Sequence, residues 1–444
     1  MMKLFAALII IAHFYACNIS HPKISIAENA VPAIWADMTL YITKSTPANS
    51  PTFASRAFGY TGLTMYESVV NSSSSHASMG GQLNQLPPLP VIEKNKKYNW
   101  VLCLNAGQAA ILRYIYIQTS KENKIKIDSL ENVIYNSFAD TKADKEIVNR
   151  SVAYGKAVAS AIFEWSKVDR GHRGYLYNFD SKMTYPSKGG SWKPPFFAQQ
   201  ITRFPLHPHW GDNRTFLKAD TNWKMPDFVP YDTANLSGCY KQFLEVYHSN
   251  KKITQEQKEI ALWWNDDPSE TYTPPGHSYN LASIIVRDKK PDLLQAAETY
   301  ARVGLAVADA FIVCWKMKYN FFSERPSTYV NENVDPEWEP FWPDPPFPAF
   351  PSGHATQASA VAIVLAGLYG DHINFTDSSH VGRPKDIAKN VHYKPRKFSS
   401  FWQVAEETAY SRFLGGIHTM QDNNTGLYEG RKIGNHVNEL KWRK

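Results

Sequence analysis

Apolar residues in this chain recur at intervals of three and four, the repeat of helices that bury one face. Residues 54–70 place Phe58, Leu63, Met65 and Val69 on such a face. The pattern returns over 101–117 and over 147–165, the latter through Val152, Ala157, Ala161, Ile162 and Trp165. Residues 255–264 predict another helix. The runs 300–318 and 356–369 are apolar nearly all round, which predicts helices buried on most sides. Residues 400–414 and 425–440 complete the series. Strand-like alternation is scarce, so the chain is expected to be all-α, built as two helical bundles.

Two stretches interrupt the pattern, 171–236 and 326–351, both rich in Pro, Trp and Tyr. Irregular segments of this length inside a compact protein usually serve a site. The first divides the chain into an N-terminal bundle with long loops, 21–235, and a C-terminal bundle, 236–444, expected to carry the chemistry.

The first 20 residues read as an export signal: Lys3, an apolar run over 4–12, then Phe14-Tyr15-Ala16-Cys17. Ala16-Cys17 also resembles a lipoprotein cleavage box, with Cys17 as the lipidated residue. Either reading implies an exported protein, in the periplasm, at the cell surface or secreted. Beyond the signal no apolar run reaches transmembrane length. Cys103, Cys239 and Cys314 form neither a disulfide framework nor a thiolate metal pattern, and Cys314 lies in an apolar helix as a core thiol.

Composition narrows the partners. The chain has 444 residues, 43% hydrophobic, 20% charged and 14% aromatic, enough for a large packed core. Its net charge of +7 is modest. The densest basic stretch, from Arg383 to Lys397, reads as a solvated loop, and no nucleic-acid partner is expected.

Three islands carry the chemistry: Lys318-x6-Arg325-Pro326, Pro351-Ser352-Gly353-His354, and Ser411-Arg412-x5-His418. Together they offer three cations, two imidazoles, a hydroxyl and a helix start opened by glycine. Lys318 closes an apolar helix one turn after Trp315, which puts ammonium and indole on one face. Ser352 is a natural cap, and the exposed amides beginning at Gly353 suit an anion. Gly415-Gly416 ends the preceding helix and turns His418 back toward Arg412. Asp422, four residues on, is placed to accept a proton from the second ring nitrogen of His418. Each island has a plainer reading, such as basic residues satisfying helix-end carbonyls. Their order within 101 residues points to a cradle for one tetrahedral oxoanion.

The three islands resemble, residue for residue, the signature shared by vanadium-dependent haloperoxidases and the phosphatidic acid phosphatase type 2 superfamily. The resemblance implies that Lys318, Arg325 and Arg412 hold the equatorial oxygens, with hydrogen bonds from Ser352 and the Gly353 amide. It makes His354 the acid/base residue. His418 becomes the vanadium ligand of a haloperoxidase or the nucleophile of a phosphatase. Vanadate is the implied cofactor, with phosphate as a competing occupant.

The neighbours of the islands resemble the haloperoxidase branch, and in particular its bacterial iodoperoxidase type. Trp315 and Phe347 fall where these enzymes place halide-pocket aromatics, although aromatics at such spacing also serve as ordinary core. Bromoperoxidases tend to carry His in place of Phe347. Trp264-Asn265-Asp266 resembles the segment whose acid pairs with the last-island arginine, so Asp266 is expected on Arg412, with Asp267 as the other candidate. Leu206-His207-Pro208-His209-Trp210-Gly211 resembles a segment common ahead of the catalytic half, its histidines structural rather than metal-binding.

The activity so implied is oxidation of halide, iodide or bromide, by hydrogen peroxide to hypohalous acid, with a small organic acceptor possible downstream. Lys318 would polarise bound peroxide and His354 would act as base. The alternatives are an acid phosphatase working through a phosphohistidine, and a non-enzymatic oxoanion-binding protein.

Overall fold

The computed structural model describes residues 26–139 and 144–444; the export signal and Cys17 lie outside them. Thirteen α-helices and one two-stranded sheet make up the regular structure of the described residues. The N-terminal half holds α1 (Val31–Ser45), α2 (Pro51–Glu67), α3 (Trp100–Ile115), α4 (Lys121–Phe138) and α5 (Lys145–Ser166). The C-terminal half holds α6 (Gly238–Lys251), α7 (Gln255–Trp263), α8 (Thr273–Lys289), α9 (Leu293–Phe321), α10 (Pro326–Asn333), α11 (Gly353–Tyr369), α12 (Phe401–Leu414) and α13 (Met420–Glu439). A hairpin of β1 (His372–Asp377) and β2 (Arg396–Ser400) lies between α11 and α12.

The axis of the molecule is α9, about 44 Å long at 1.5 Å per residue. Asp292 caps it by accepting from the Gln295 amide at 2.8 Å, and Phe322 ends it with φ 51°. One flank packs on α2 so closely that backbones touch. A Cβ at Gly62 would meet the Tyr300 carbonyl at 2.4 Å, and one at Gly304 would meet the Phe58 carbonyl at 2.4 Å. On another flank lies α11, with α13 docked against it through Gly426 and Gly430. A Cβ at Gly430 would stand 1.9 Å from the Thr356 carbonyl. Through α9 the apolar interior runs without a break from the N-terminal helices to α11 and α13. A second, smaller cluster gathers Phe243, Val246, Trp338, Trp342 and Leu414 from α6, α12 and the chain around α10.

Helices α1, α4, α6, α8 and α10 were not among those predicted from periodicity. In α4 only Asn123, Ile127 and Ile134 are buried, too thin a stripe to stand out. For α8 and α10 the sign is prolines at the first turn rather than an apolar face. The hairpin was also unforeseen. It pairs antiparallel with Phe375 opposite Phe398, and β1 buries Ile373, Phe375 and Asp377 in strict alternation.

The 171–236 segment contains only single 3-10 turns and is strapped across α9. The Phe216 and Leu217 amides donate to the Asp309 carboxylate at 2.7 and 2.8 Å. The Leu206 carbonyl accepts from Trp315 Nε1 at 3.2 Å. His207 is buried, stacked on Trp210, and bonded to Thr52 and the Gly174 carbonyl, while His209 is exposed beside Asp180. Among the described residues neither belongs to a group close enough together to hold a metal ion.

Candidate oxoanion site

The three islands converge where the C-terminal end of α9, the N-terminal end of α11 and the α12–α13 turn meet. Lys318 sits in the last turn of α9, fully buried. Its Nζ donates to the carbonyls of Pro348, Ala349 and Pro351 at 2.9, 2.6 and 2.6 Å. Those three acceptors match its three hydrogens, so a direct bond to a ligand requires release of one carbonyl. Burial, opposed by Cys314 and reinforced by Arg325, pushes the Lys318 ammonium down to about 7.

Arg325 precedes α10 and is also fully buried. Nη1 donates to the Ile417 carbonyl at 2.9 Å and lies 3.1 Å from His418 Nε2. Nε and Nη2 reach the Phe347 carbonyl at 3.2 and 3.0 Å. Arg412, on the last turn of α12, has its guanidinium 4.1 Å from the Trp342 ring centroid and gives Nη1 to the Trp264 carbonyl at 3.0 Å. Its buried Nε has no partner. Burial lowers Arg325 to about 10 and Arg412 to about 9, within the range where both stay charged at neutral pH. Among the described residues none of these three cations is ion-paired to a carboxylate.

His418 follows the Gly415-Gly416 turn that ends α12. Its Nδ1 lies 2.9 Å from Asp422 Oδ2, so Nδ1 carries the hydrogen and Nε2 keeps a lone pair toward Arg325 and the cavity. Burial and the nearby Arg325, Lys318 and Arg412 hold the imidazole neutral, well below its usual value. Thr419 caps α13 in a capping box with Asp422, whose carboxylate accepts the Thr419 amide at 3.2 Å.

Ser352 caps α11, its Oγ accepting from the Ala355 amide at 3.4 Å, and its own amide donates to the Asp422 carbonyl at 3.0 Å. A Cβ on Gly353 would meet Trp315, Cys314 and Lys318 at ordinary contact distances of 3.6–4.0 Å. His354 in the first turn has a buried Nε2 with no partner and is kept neutral by burial and Arg412.

A cavity of about 460 Å³ opens onto Gly353, His354, Arg412 and His418. Trp315 and Phe347 stand together on its wall, ring centroids 5.0 Å apart. Phe347 also covers the cations, 5.3 Å from Lys318 Nζ and 5.1 Å from the Arg325 guanidinium. Leu206 and Asn178 from the long segment, and Asn49 from the α1–α2 turn, complete the mouth.

Asp266 is not on Arg412. Its Oδ2 takes His277 Nδ1 at 2.7 Å and its Oδ1 faces His380 Nε2 at 3.0 Å. The other nitrogen of His277 lies 2.9 Å from Asp377 Oδ2, which also accepts Trp263 Nε1 at 2.7 Å. Burial opposes this charge, yet the two imidazoles hold Asp266 far below the usual carboxylate range. His277, despite burial, is raised to about 10 by its two carboxylates. Ligand atoms of Asp266, His277 and His380 lie within 4.8 Å of one another, a set that also suits a cation. With both His277 nitrogens facing carboxylate oxygens, two shared protons satisfy it. Asp267, the other candidate, lines the cavity and accepts from Gln199 Nε2 at 3.1 Å and from Asn265. Burial, Glu270 and the opposing pull of Arg412 leave it at about 6.

His277, Asp377 and His380 were missed by sequence reasoning. The alternation Ile373-x-Phe375-x-Asp377 in the sequence is the signal that could have placed Asp377 on the inward face of a strand, as the burial of β1 shows.

This is a mostly helical protein whose three buried cations, none ion-paired to a carboxylate among the described residues, gather about a neutral imidazole with a lone pair at Nε2, the construction of an oxoanion site. Residues 298–443, which contain all three islands, match the family model of the second helical-bundle domain of vanadium chloroperoxidase. The solved structure of a bacterial vanadium-dependent iodoperoxidase superposes with TM-score 0.78 at 30% identity, over 92% of this chain and 95% of that one. A bacterial vanadium-dependent chloroperoxidase shares the fold at TM-score 0.65 and 17% identity, over 89% and 93% of the two chains. Vanadium chloroperoxidase of Curvularia inaequalis is 24% identical over 344 residues, 60% of this chain, and the match spans little more than half (56%) of that relative. The chain belongs to the vanadium-dependent haloperoxidase family.

Proposed function

We propose that this protein is a vanadate-dependent haloperoxidase that oxidises iodide with hydrogen peroxide to hypohalous acid. The observation that carries it is the trio Lys318, Arg325 and Arg412, buried without carboxylate partners around the His418 Nε2 lone pair. Such an arrangement is costly unless an anion completes it. The unpartnered Arg412 Nε and His354 Nε2 are donors and acceptors awaiting that anion. The iodoperoxidase likeness and the Trp315–Phe347 wall favour a soft, weakly hydrated halide.

Vanadate, when bound, supplies a Lewis-acidic centre that activates peroxide. His418 would ligate it through Nε2, with Asp422 fixing the tautomer. The cations lower the cost of negative charge at the oxygens in a largely dry site. His354 exchanges a proton at Nε2, and the reaction consumes one proton for each hypohalous acid and water formed. The cavity beyond Phe347 admits a small organic acceptor. We further assign catalysis to the 236–444 bundle and support to 21–235. Residues 1–20 fit export, with lipidation at Cys17 as one route.

The test is parallel assay of iodide oxidation and phosphomonoester hydrolysis, with and without vanadate. Iodide oxidation that appears only on vanadate loading is the expected result. Vanadate-inhibited phosphatase turnover abolished by His418→Ala would replace this reading with the acid phosphatase, and anion binding without turnover of either kind with a binding protein.

A further inference from the structure

We propose that Asp266, His277 and His380 hold a zinc-class divalent cation, with one water as its fourth ligand, in a buried site distinct from the oxoanion cradle. The proposal stands whether or not the cradle binds an oxoanion.

Three separate segments bring the ligands together: Asp266 in the α7–α8 connection, His277 on α8, and His380 just after β1. All three are buried, and one ligand atom from each lies within 4.8 Å of the other two. Two shared protons serve His277, but they do not serve its neighbours. His380 Nε2 and Asp266 Oδ1 stand 3.0 Å apart, yet both are buried atoms without a hydrogen-bond partner. An imidazole only 2% exposed, with an idle nitrogen facing a carboxylate oxygen, is costly unless an ion takes both. Charge points the same way. Burial keeps His380 neutral, so Asp266 and Asp377 with a single imidazolium leave one negative charge in excess. A dication with both imidazoles neutral leaves none.

The surroundings are those of a metal-binding imidazole. His277 presents Nδ1 to Asp266, and its Nε2 lies 2.9 Å from Asp377 Oδ2. Such a carboxylate behind the ring fixes the tautomer and raises the basicity of the ligating nitrogen. Asp377 is held in turn by Trp263 Nε1 at 2.7 Å and by the Ser379 amide at 2.9 Å. The His380 ring packs steeply against Trp263 and His277, centroids 5.1 and 4.8 Å away, which limits its rotation.

Donor type and room select the ion. Two imidazoles and a carboxylate suit zinc or ferrous iron, whereas calcium and magnesium take oxygen. A cavity of about 10 Å³ is lined by Asp266 and His277 and extends to His354. That is space for one water. It completes a four-coordinate zinc and falls short of the several open positions of a six-coordinate iron. Bound there, the ion ties the α7–α8 connection, where Asp266 has φ 51°, to α8 and to the end of β1. The same connection carries Asp267, which lines the oxoanion cavity.

The experiment strips full-length protein with a chelator, then titrates it with zinc(II) against a chromophoric competitor and, in parallel, with cobalt(II). One equivalent of zinc and the intense visible bands of four-coordinate cobalt are expected. Asp377→Asn, which keeps all three ligands, should weaken zinc binding about 10- to 100-fold. His380→Gln, which removes a ligand, should weaken it further and abolish the cobalt bands. No stoichiometric zinc, a six-coordinate cobalt spectrum, or zinc binding unchanged in His380→Gln overturns the proposal. If His380→Gln does not fold, the wild-type stoichiometry and spectrum together with Asp377→Asn decide it. Vanadate is titrated separately, so failure of the oxoanion reading is a distinguishable result.

Discussion

Asp422 Oδ2 stands 2.9 Å from His418 Nδ1, and the same residue's backbone carbonyl accepts the Ser352 amide at 3.0 Å. One residue thus sets the tautomer of the candidate ligand and ties the start of α13 to the start of α11. Replacing it by Ala should lower vanadate affinity about 10- to 100-fold, the usual effect of removing the acceptor behind a ligating imidazole. Equilibrium titration with vanadate measures it, and loss below threefold would remove Asp422 from this role.

Lys318 makes anion binding pH-dependent. Its value lies near 7, below the ordinary lysine, so its charge is present below pH 7 and is lost as pH rises. A bound oxoanion restores the charge. Binding above pH 7 should therefore take up a proton, and affinity should fall with rising pH by up to about tenfold per unit. Phosphate titrations in buffers of different ionisation enthalpy count that proton. Lys318→Met should take up correspondingly fewer protons and bind more weakly at pH 6.

Asp267 places a negative charge on the wall that a halide must pass. Its value is raised to about 6, so the carboxylate is ionised above that pH and neutral below it. Asp267→Asn should lower the iodide KM several-fold at pH 7–8, leave kcat within about twofold, and converge on wild type below pH 6. Steady-state iodide oxidation across pH 5–8 reads the split. An unchanged KM at pH 8 would show that the carboxylate does not influence halide entry.

The α2–α9 contact leaves no room for a methyl group. Gly62→Ala would drive a Cβ to 2.4 Å from the Tyr300 carbonyl and should destabilise the fold by about 2–3 kcal/mol through overpacking. Denaturant unfolding measures it. Gly81→Ala is a control for backbone strain alone, since no atom lies within 4 Å of its Cβ position.

Much of this molecule is written locally. The 3.6-residue pattern places α2, α3, α5, α9, α11 and α12, because each buries a broad face and that burial stabilises it; it places α7 and α13 as well, although α7 buries only Ala261, Leu262 and Trp263 and the buried side of α13 is largely glycine and polar. The three islands are legible for a related reason: each binds its ligand groups to a helix end, and helix ends have short-range signs such as the cap at Ser352 and the glycine pair after Leu414. Even the His418–Asp422 contact follows from an i, i+4 spacing across a helix start.

The partner of Asp266 could not be read this way. Arg412, His277 and His380 lie 146, 11 and 114 residues from it along the chain, and nothing in sequence spacing ranks them. Likewise, three carbonyls of residues 348–351 claim every hydrogen of Lys318, a match set by how that loop crosses the end of α9. The sequence by itself determined the eight helices with periodic faces and the cations and imidazoles of the three islands, because these depend on periodicity and on local caps. Only the tertiary structure decided which charges neutralise one another and which are left for an anion, because buried charges choose partners by distance through space.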